Sequence, residues 1–487
     1  MSWSALHYDN LYSRLPAHFY SRVQPEPVPA PYLIHLNREL SEQIGLPIAE
    51  MDITELLPIL SGNRIHDQHQ PLAMLYAGHQ FGRWVPQLGD GRAIQLAEIL
   101  DREQQRWALQ LKGAGPTPYS RNADGRAVLR STIREYLCSE AMHGLGVPTT
   151  RALSIVGSDM EVYREQIESA AILLRVAPSF VRFGHFEVFA SRGQHEDVKL
   201  LADHIIEEHY PDLLNQDDAY IGLFRNVVDN TARLMAQWQC VGFMHGVMNT
   251  DNMSILGLSI DYGPFGFMDA YDPEHICNHT DVQGRYAYSK QPQIGLWNLM
   301  CLAEAFRSLT TGDELREILA EYESKFTTYY TLLMRDKLGL FDQPQSIDAT
   351  LINGLLEQMK DSGADYTNTF RALSNLTENE ADVRYLQDLF IDTDRFQDWL
   401  RQYRSRLQET GLSGQERSMR MKQKNPKYVL RNYLLQQAID KAKQKNYSDM
   451  ESLLRLVQRP FEEHPGYEAY SEPPPDWAAH IQVSCSS

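Results

Sequence analysis

Residues 245–273 read HGVMNTDNMSILGLSIDYGPFGFMDAYDP. In this stretch a polar loop with Asp251 and Asn252 gives way to an apolar run and then to Asp-Tyr-Gly beginning at Asp261. The run SILGLSI predicts a short pair of strands, a hairpin that would bring Asn252 and Asp261 together. Mg²⁺ takes hard oxygen donors and usually only one or two protein carboxylates, so an amide oxygen and a carboxylate at one spot suit it. A turn rich in Asn and Asp for conformational reasons is the competing reading.

Working upstream, DDAYIGLFRNVVDNTARLMAQWQCVGF (217–243) has helical apolar spacing and predicts a long helix stopped by Gly242. Before it, PQLGDGRAIQLAEIL (86–100) and RWALQLKGAG (106–115) alternate β-favouring apolar residues and predict a small antiparallel sheet after a Gly-Asp-Gly turn. Asp124 is the expected N-cap of the helix in RAVLRSTIREYLCSEAMHGLG, and Gly144 its expected stop. SIVG and AAILLRVA read as further strands, and from about residue 195 helical patterns run to about 460.

The fold class expected is α+β: a two-lobed, protein-kinase-like arrangement with a small β-rich N-lobe and a larger helical C-lobe. Residues 1–70 are expected as an N-terminal arm with short helices, 71–190 as the N-lobe, 191–460 as the C-lobe and 461–487 as a C-terminal tail.

Lys112 ends the strand WALQLK and Glu135 lies on the helix that follows, the pairing by which a kinase-like lobe holds an ammonium against nucleotide phosphates. Glu140 is a rival partner, since periodicity does not choose between them. Arg92, Arg121, Arg126, Arg175 and Arg182 cluster around the same segments and would neutralise phosphate charge, or else pair with carboxylates.

Composition narrows the function. The 487-residue chain has 46 basic and 64 acidic residues for a net charge of −18, which argues against a nucleic-acid-coating protein. Apolar residues at 43% and charged ones at 23% are those of an ordinary folded protein. No run suggests a membrane helix and the N-terminus lacks a charged start followed by an apolar stretch, so the cytoplasm is the expected location. Five scattered cysteines indicate neither a zinc site nor a disulfide framework.

The strings YAGHQFGRWVPQLGDGRA, QLKGAGPTPYSRNADGRAVLRSTIREYLCSEAM, LLRVAPSFVRFGHFE and GFMHGVMNTDNMSILGLSIDYGPFGFMDAYDP, with a terminal CSS, resemble the selenoprotein O family nearly end to end. That resemblance implies a pseudokinase fold. It implies a protein adenylyltransferase that binds ATP in reversed orientation and moves AMP onto Ser, Thr or Tyr hydroxyls of proteins with loss of pyrophosphate, with UMP transfer as a variant.

By the same resemblance Gly89, Gly91 and Arg92 contact nucleotide and Lys112, Arg175 and Arg182 hold phosphates. Glu135 orients Lys112, Asp124 and Gly125 line the pocket, Asn252 and Asp261 bind Mg²⁺ or Mn²⁺, and Asp261 thereby reaches the ATP.

Setting Asn252 against the metal-binding Asn of the kinase catalytic loop puts Val247 where kinases keep their catalytic Asp. Val cannot accept a proton, so Asp251 is the expected acceptor of the proton from the protein hydroxyl. Cys277, just after the metal-binding segment, and Cys485, in the tail, are expected as a redox pair that could gate the cleft. A kinase transferring the γ-phosphate and a non-catalytic nucleotide-binding scaffold are the competing functions.

Overall fold

The computed structural model describes residues 3–46, 48, 51–376 and 380–484. It is α+β, with strands concentrated before residue 178 and helices after it.

The strands are β1 (His7–Tyr8), β2 (Tyr20–Arg22), β3 (Tyr32–Leu36), β4 (Leu72–Met74), β5 (Gly78–Gln80), β6 (Arg83–Val85), β7 (Ala93–Leu100), β8 (Arg106–Lys112), β9 (Ala127–Val128), β10 (Arg151–Tyr163) and β11 (Ile167–Ala177). They form one antiparallel sheet in the order β2-β4-β7-β8-β11-β10-β3, with β1 on β7 and β9 on β11, while β5 and β6 make a separate hairpin. The first 36 residues thus supply strands to both ends of the sheet.

β8 is buried at all its positions because both faces are covered. On one side Leu109 and Leu111 join Ile172 and Leu174 beneath α1 (Arg38–Gln43) and α2 (Ile53–Leu60). On the other, Gln110 and Lys112 share a face by the two-residue period of a strand, and Arg175 of β11 stands opposite Gln110 in register. This polar face looks toward α3 (Leu129–Gly144), the helix that carries Glu135.

The expected cap of α3 does not form. The helix begins at Leu129 behind Val128, with no side-chain cap, because Ala127 and Val128 first pair with Ala171 and Ala170 of β11. The Asp124 carboxylate instead accepts from the Arg126 N–H and pairs with Arg164. The expected stop does hold. Gly144 is the last residue of the helix, its missing Cβ leaves room for the Val457 carbonyl 2.1 Å from where that atom would lie, and the left-handed residue that follows is Gly146 at φ +75°.

Glu140 does not compete for Lys112. It is fully buried and takes a bidentate bond from Arg151 at 2.8 and 2.9 Å, with Asn37 also donating to it at 2.8 Å. Glu140→Ala would strand the Arg151 guanidinium in the core and should destabilise the protein by about 3–5 kcal/mol. Thermal melting should show a fall of several degrees, and an unchanged midpoint would refute this account.

From residue 183 come α4 (Phe183–Ser191), α5 (His195–His209), α6 (Ala219–Val241) and α7 (Gln291–Phe306), and helices continue to Gln458. α6 ends at Gly242 in the left-handed conformation, φ +69°, as expected. Beyond it β12 (Phe243–Met244) pairs with β13 (Gly266–Phe267), clasping the segment between them. Among the described residues no helix is long and apolar enough to cross a membrane.

Candidate functional site

The clasp formed by β12 and β13 holds residues 245–265 against the polar face of the sheet, but not as the expected hairpin. Ser254 bridges Arg182 and Ser259 bridges Thr149, so the two ends of SILGLSI pair outward with other segments rather than with each other. His245, buried and stacked on Trp238, makes a 2.8 Å bond with the Ile260 carbonyl and so fixes the approach to Asp261. Asp261 itself adopts φ +59°, unusual for a non-glycine residue.

The result is a cleft of about 540 Å³. Gly89, Gly91, Arg92, Lys112, Asp124, Gly125, Glu135, Arg175, Arg182, Asp251, Asn252 and Asp261 all line it, as do Arg121, Arg126 and Val247. Residues spread over more than 170 positions of sequence therefore meet in one hollow.

At its centre three cations converge on one carboxylate. Lys112 Nζ lies 2.6 Å from Glu135 Oε2 and 3.2 Å from Asp261 Oδ1. Arg175 Nη1 donates to Glu135 Oε1 at 2.8 Å and also to Asp261, while Arg182 Nη1 bonds the other Asp261 oxygen and, at 2.8 Å, the Asp251 carbonyl. Burial opposes ionisation of Asp261, yet Arg182, Lys112 and Arg175 together hold its carboxyl well below the usual range. Burial conversely lowers the Lys112 ammonium, with Asp261 and Glu135 working against that shift.

Asp251 has a different environment. It is buried, its Oδ2 accepts from Gln80 Nε2 at 3.2 Å, and its Oδ1 has no hydrogen-bond partner. Burial pushes its carboxyl up to about 6, against the pull of Gln80 and Arg182. Next to it, Asn252 Nδ2 donates to the Val247 carbonyl at 3.0 Å, which commits the nitrogen to the protein and leaves the amide oxygen as the group with which Asn252 could meet a cation.

The two glycines of the Gly-Asp-Gly turn have a packing reason of their own. A Cβ on Gly89 would stand 2.5 Å from the Tyr119 ring and one on Gly91 2.9 Å from the Tyr119 carbonyl, so they let the loop 117–120 close over the turn. Gly125, at φ +64°, is pressed against the Gly115 carbonyl in the same way.

Several residues of the site escaped sequence reasoning. Gln110 fixes Arg175 through bonds of 2.8 and 2.6 Å, and the Tyr76 ring lies 4.9 Å from the Arg182 guanidinium. The hairpin β5–β6 packs on the Asp251 loop, where the Thr250 and Asn249 side chains accept from the His79 and Phe81 N–H groups at 2.8 and 3.0 Å. The period-two spacing of Gln110 and Lys112 was the one signal that pointed to any of these.

Cys277 lies outside the cleft lining, its thiol 3.7 Å from the Met244 carbonyl. Cys485 lies outside the described residues. The tail nonetheless reaches the site. Gln482, Val483 and Ser484 line the cleft, and the Val483 carbonyl accepts from the His279 N–H at 2.9 Å, two residues from Cys277.

The family model described as "Protein adenylyltransferase SelO" matches residues 2–458. A protein from Myxococcus xanthus named "Protein nucleotidyltransferase YdiU" is 50% identical over 483 residues, covering 99% of both chains. Its namesake from Thioalkalivibrio sulfidiphilus is 52% identical over 491 residues, again 99% of each. Another from Aliivibrio salmonicida is 49% identical over 486 residues, covering all of this chain and 99% of that one.

Proposed function

Since the chain belongs to the SelO family of protein adenylyltransferases and is thus a nucleotidyltransferase, we propose that it transfers AMP from ATP to a Ser, Thr or Tyr hydroxyl of another protein. The observation that carries this reading is one cleft lined by the Lys112–Glu135 pair, Asn252 and Asp261, and also by Val247, which in sequence stands where a kinase keeps its base. In this reading the fold is kinase-like, with its order of strand lysine, helix glutamate, His-loop-Asn and Asp-Tyr-Gly.

ATP lies with its α-phosphate toward the acceptor. Lys112, Arg175 and Arg182 supply the cationic wall for the phosphates, each already oriented by Glu135, Gln110 or the Tyr76 ring. The backbone beside Gly89, Gly91 and Arg92 and the Asp124–Gly125 turn bound the pocket. Its oxygen donors, Asn252 and Asp261, fit Mg²⁺ or Mn²⁺, and neither sulfur nor imidazole is among them. Such an ion, when bound, neutralises phosphate charge as it moves to the leaving group.

The acceptor oxygen bonds the α-phosphorus as the bond to pyrophosphate breaks, and Asp251 takes the hydroxyl proton. The deep burial of Asp251 shields this step from bulk water.

Incubation of the purified protein with an acceptor protein and ATP labelled at either the α or the γ position tests the direction of transfer. Label on protein is expected from the α position alone. Label from the γ position would instead make the enzyme a kinase, and absence of both would make it a scaffold. The reading places the enzyme in the cytoplasm, where ATP and its protein acceptors are present together.

A further inference from the structure

Behind the hairpin that carries Gln80, side chains from three elements bring metal-ligating atoms together outside the nucleotide cleft. His79 of β5, Glu187 of α4 and Cys301 of α7 have their ligand atoms within 4.8 Å of one another. His79 Nδ1 is 2.7 Å from Glu187 Oε1, and the second carboxylate oxygen, Oε2, is buried with no hydrogen-bond partner, in a residue only 4% exposed. A buried carboxylate oxygen left unpaired is costly, and a cation is what such an atom lacks.

We propose that His79, Glu187 and Cys301 form a binding site for a zinc-type divalent transition metal, with water as the fourth ligand. One imidazole nitrogen, one carboxylate oxygen and one thiolate are a borderline-soft set that favours Zn²⁺ over Mg²⁺, so the site is chemically separate from the oxygen-lined one at Asn252 and Asp261. Two anionic ligands and a neutral imidazole balance a divalent charge. The other charged groups that act on Cys301, Arg285 and Glu304, are of opposite sign.

The rearrangement needed is of ångström size. Tetrahedral zinc ligands stand about 3.3–3.6 Å apart, so the His79–Glu187 contact must open by roughly half an ångström and the Cys301 sulfur, within 4.8 Å of the other ligand atoms, must close by up to about an ångström. The imidazole is already held by Trp84 and Trp297, at ring distances of 4.9 and 5.4 Å. Burial, with Glu187 adding to it, pushes the Cys301 thiol up to about 12, so binding exchanges the S–H bond for a sulfur–metal bond and releases one proton to solvent. A bound ion would tie β5 to α4 and α7. Since β5 is bonded to Thr250 and packs Gly78 on Asp251, the tie would stiffen the wall of the cleft beside Asp251.

Co²⁺ added to the reduced, chelator-stripped full-length protein tests this independently of nucleotide transfer. One equivalent should develop a thiolate-to-cobalt charge-transfer band, which one equivalent of Zn²⁺ then abolishes. Cys301→Ser should remove the band, Cys277→Ser should leave it, and Glu187→Gln should weaken Co²⁺ binding at least about ten-fold. A wild-type protein without the band, or a Cys301→Ser variant that keeps it, overturns the proposal.

Discussion

Asp261→Asn should lower AMP transfer by about a thousand-fold or more, because an interaction with moving phosphate charge worth several kcal/mol is lost at about 1.4 kcal/mol per factor of ten. The effect on ATP binding is more telling. Asp261 now pairs with Lys112, Arg175 and Arg182 together, and Glu135 is shared by the first two. An amide carries no charge, so the three cations would keep Glu135 alone and present a more positive wall to phosphate oxygens. Metal-free ATP should therefore bind the variant at least as tightly as the wild type, while the gain in affinity on adding Mg²⁺ disappears. The same substitution removes an anion from a buried cluster, so a lowered melting point that ATP restores is expected. Equilibrium binding with and without Mg²⁺ checks the account. A variant whose Mg²⁺ dependence matched the wild type would take Asp261 out of the metal site.

How far this cleft could be read from the chain alone follows from what each signal senses. The end of α6 at Gly242 and the pairing of Lys112 with a glutamate of the following helix were legible, because one rests on a local conformation and the other on the order of a strand and the next helix. The choice of Glu135 over Glu140 was not legible. It is decided by Arg151, which lies beyond the helix and claims Glu140. The expected hairpin between Asn252 and Asp261 failed for a related reason: the β-favouring run was real, but its pairing partners, Arg182 and Thr149, lie far away in sequence. Asp124 had the right residue type for a cap and lost the role to strand pairing by Ala127 and Val128. Alternation and capping are properties of neighbours, whereas sheet partners and ion clusters are set by the tertiary fold.

Asp251 should separate chemistry from binding most cleanly. Asp251→Ala is expected to depress AMP transfer by two to four orders of magnitude, the usual contribution of a positioned general base, with ATP affinity nearly unchanged. The reason for the split lies in its contacts. The Asp251 side chain bonds Gln80 and touches β5 at Gly78, whereas its hydrogen bond to the cation cluster runs through its backbone carbonyl to Arg182, which any substitution retains. A structural role would be rescued by Asn, which keeps an oxygen for Gln80 and the shape that Gly78 accommodates. A proton acceptor would not be rescued, since an amide oxygen is too weak a base. Asp251→Asn should thus fold and bind ATP like the wild type and still fail to transfer, measured as labelled AMP in acceptor protein under single-turnover conditions. Near-normal transfer by the Asn variant would show that Asp251 shapes the wall of the cleft and that the acceptor's proton leaves by another route.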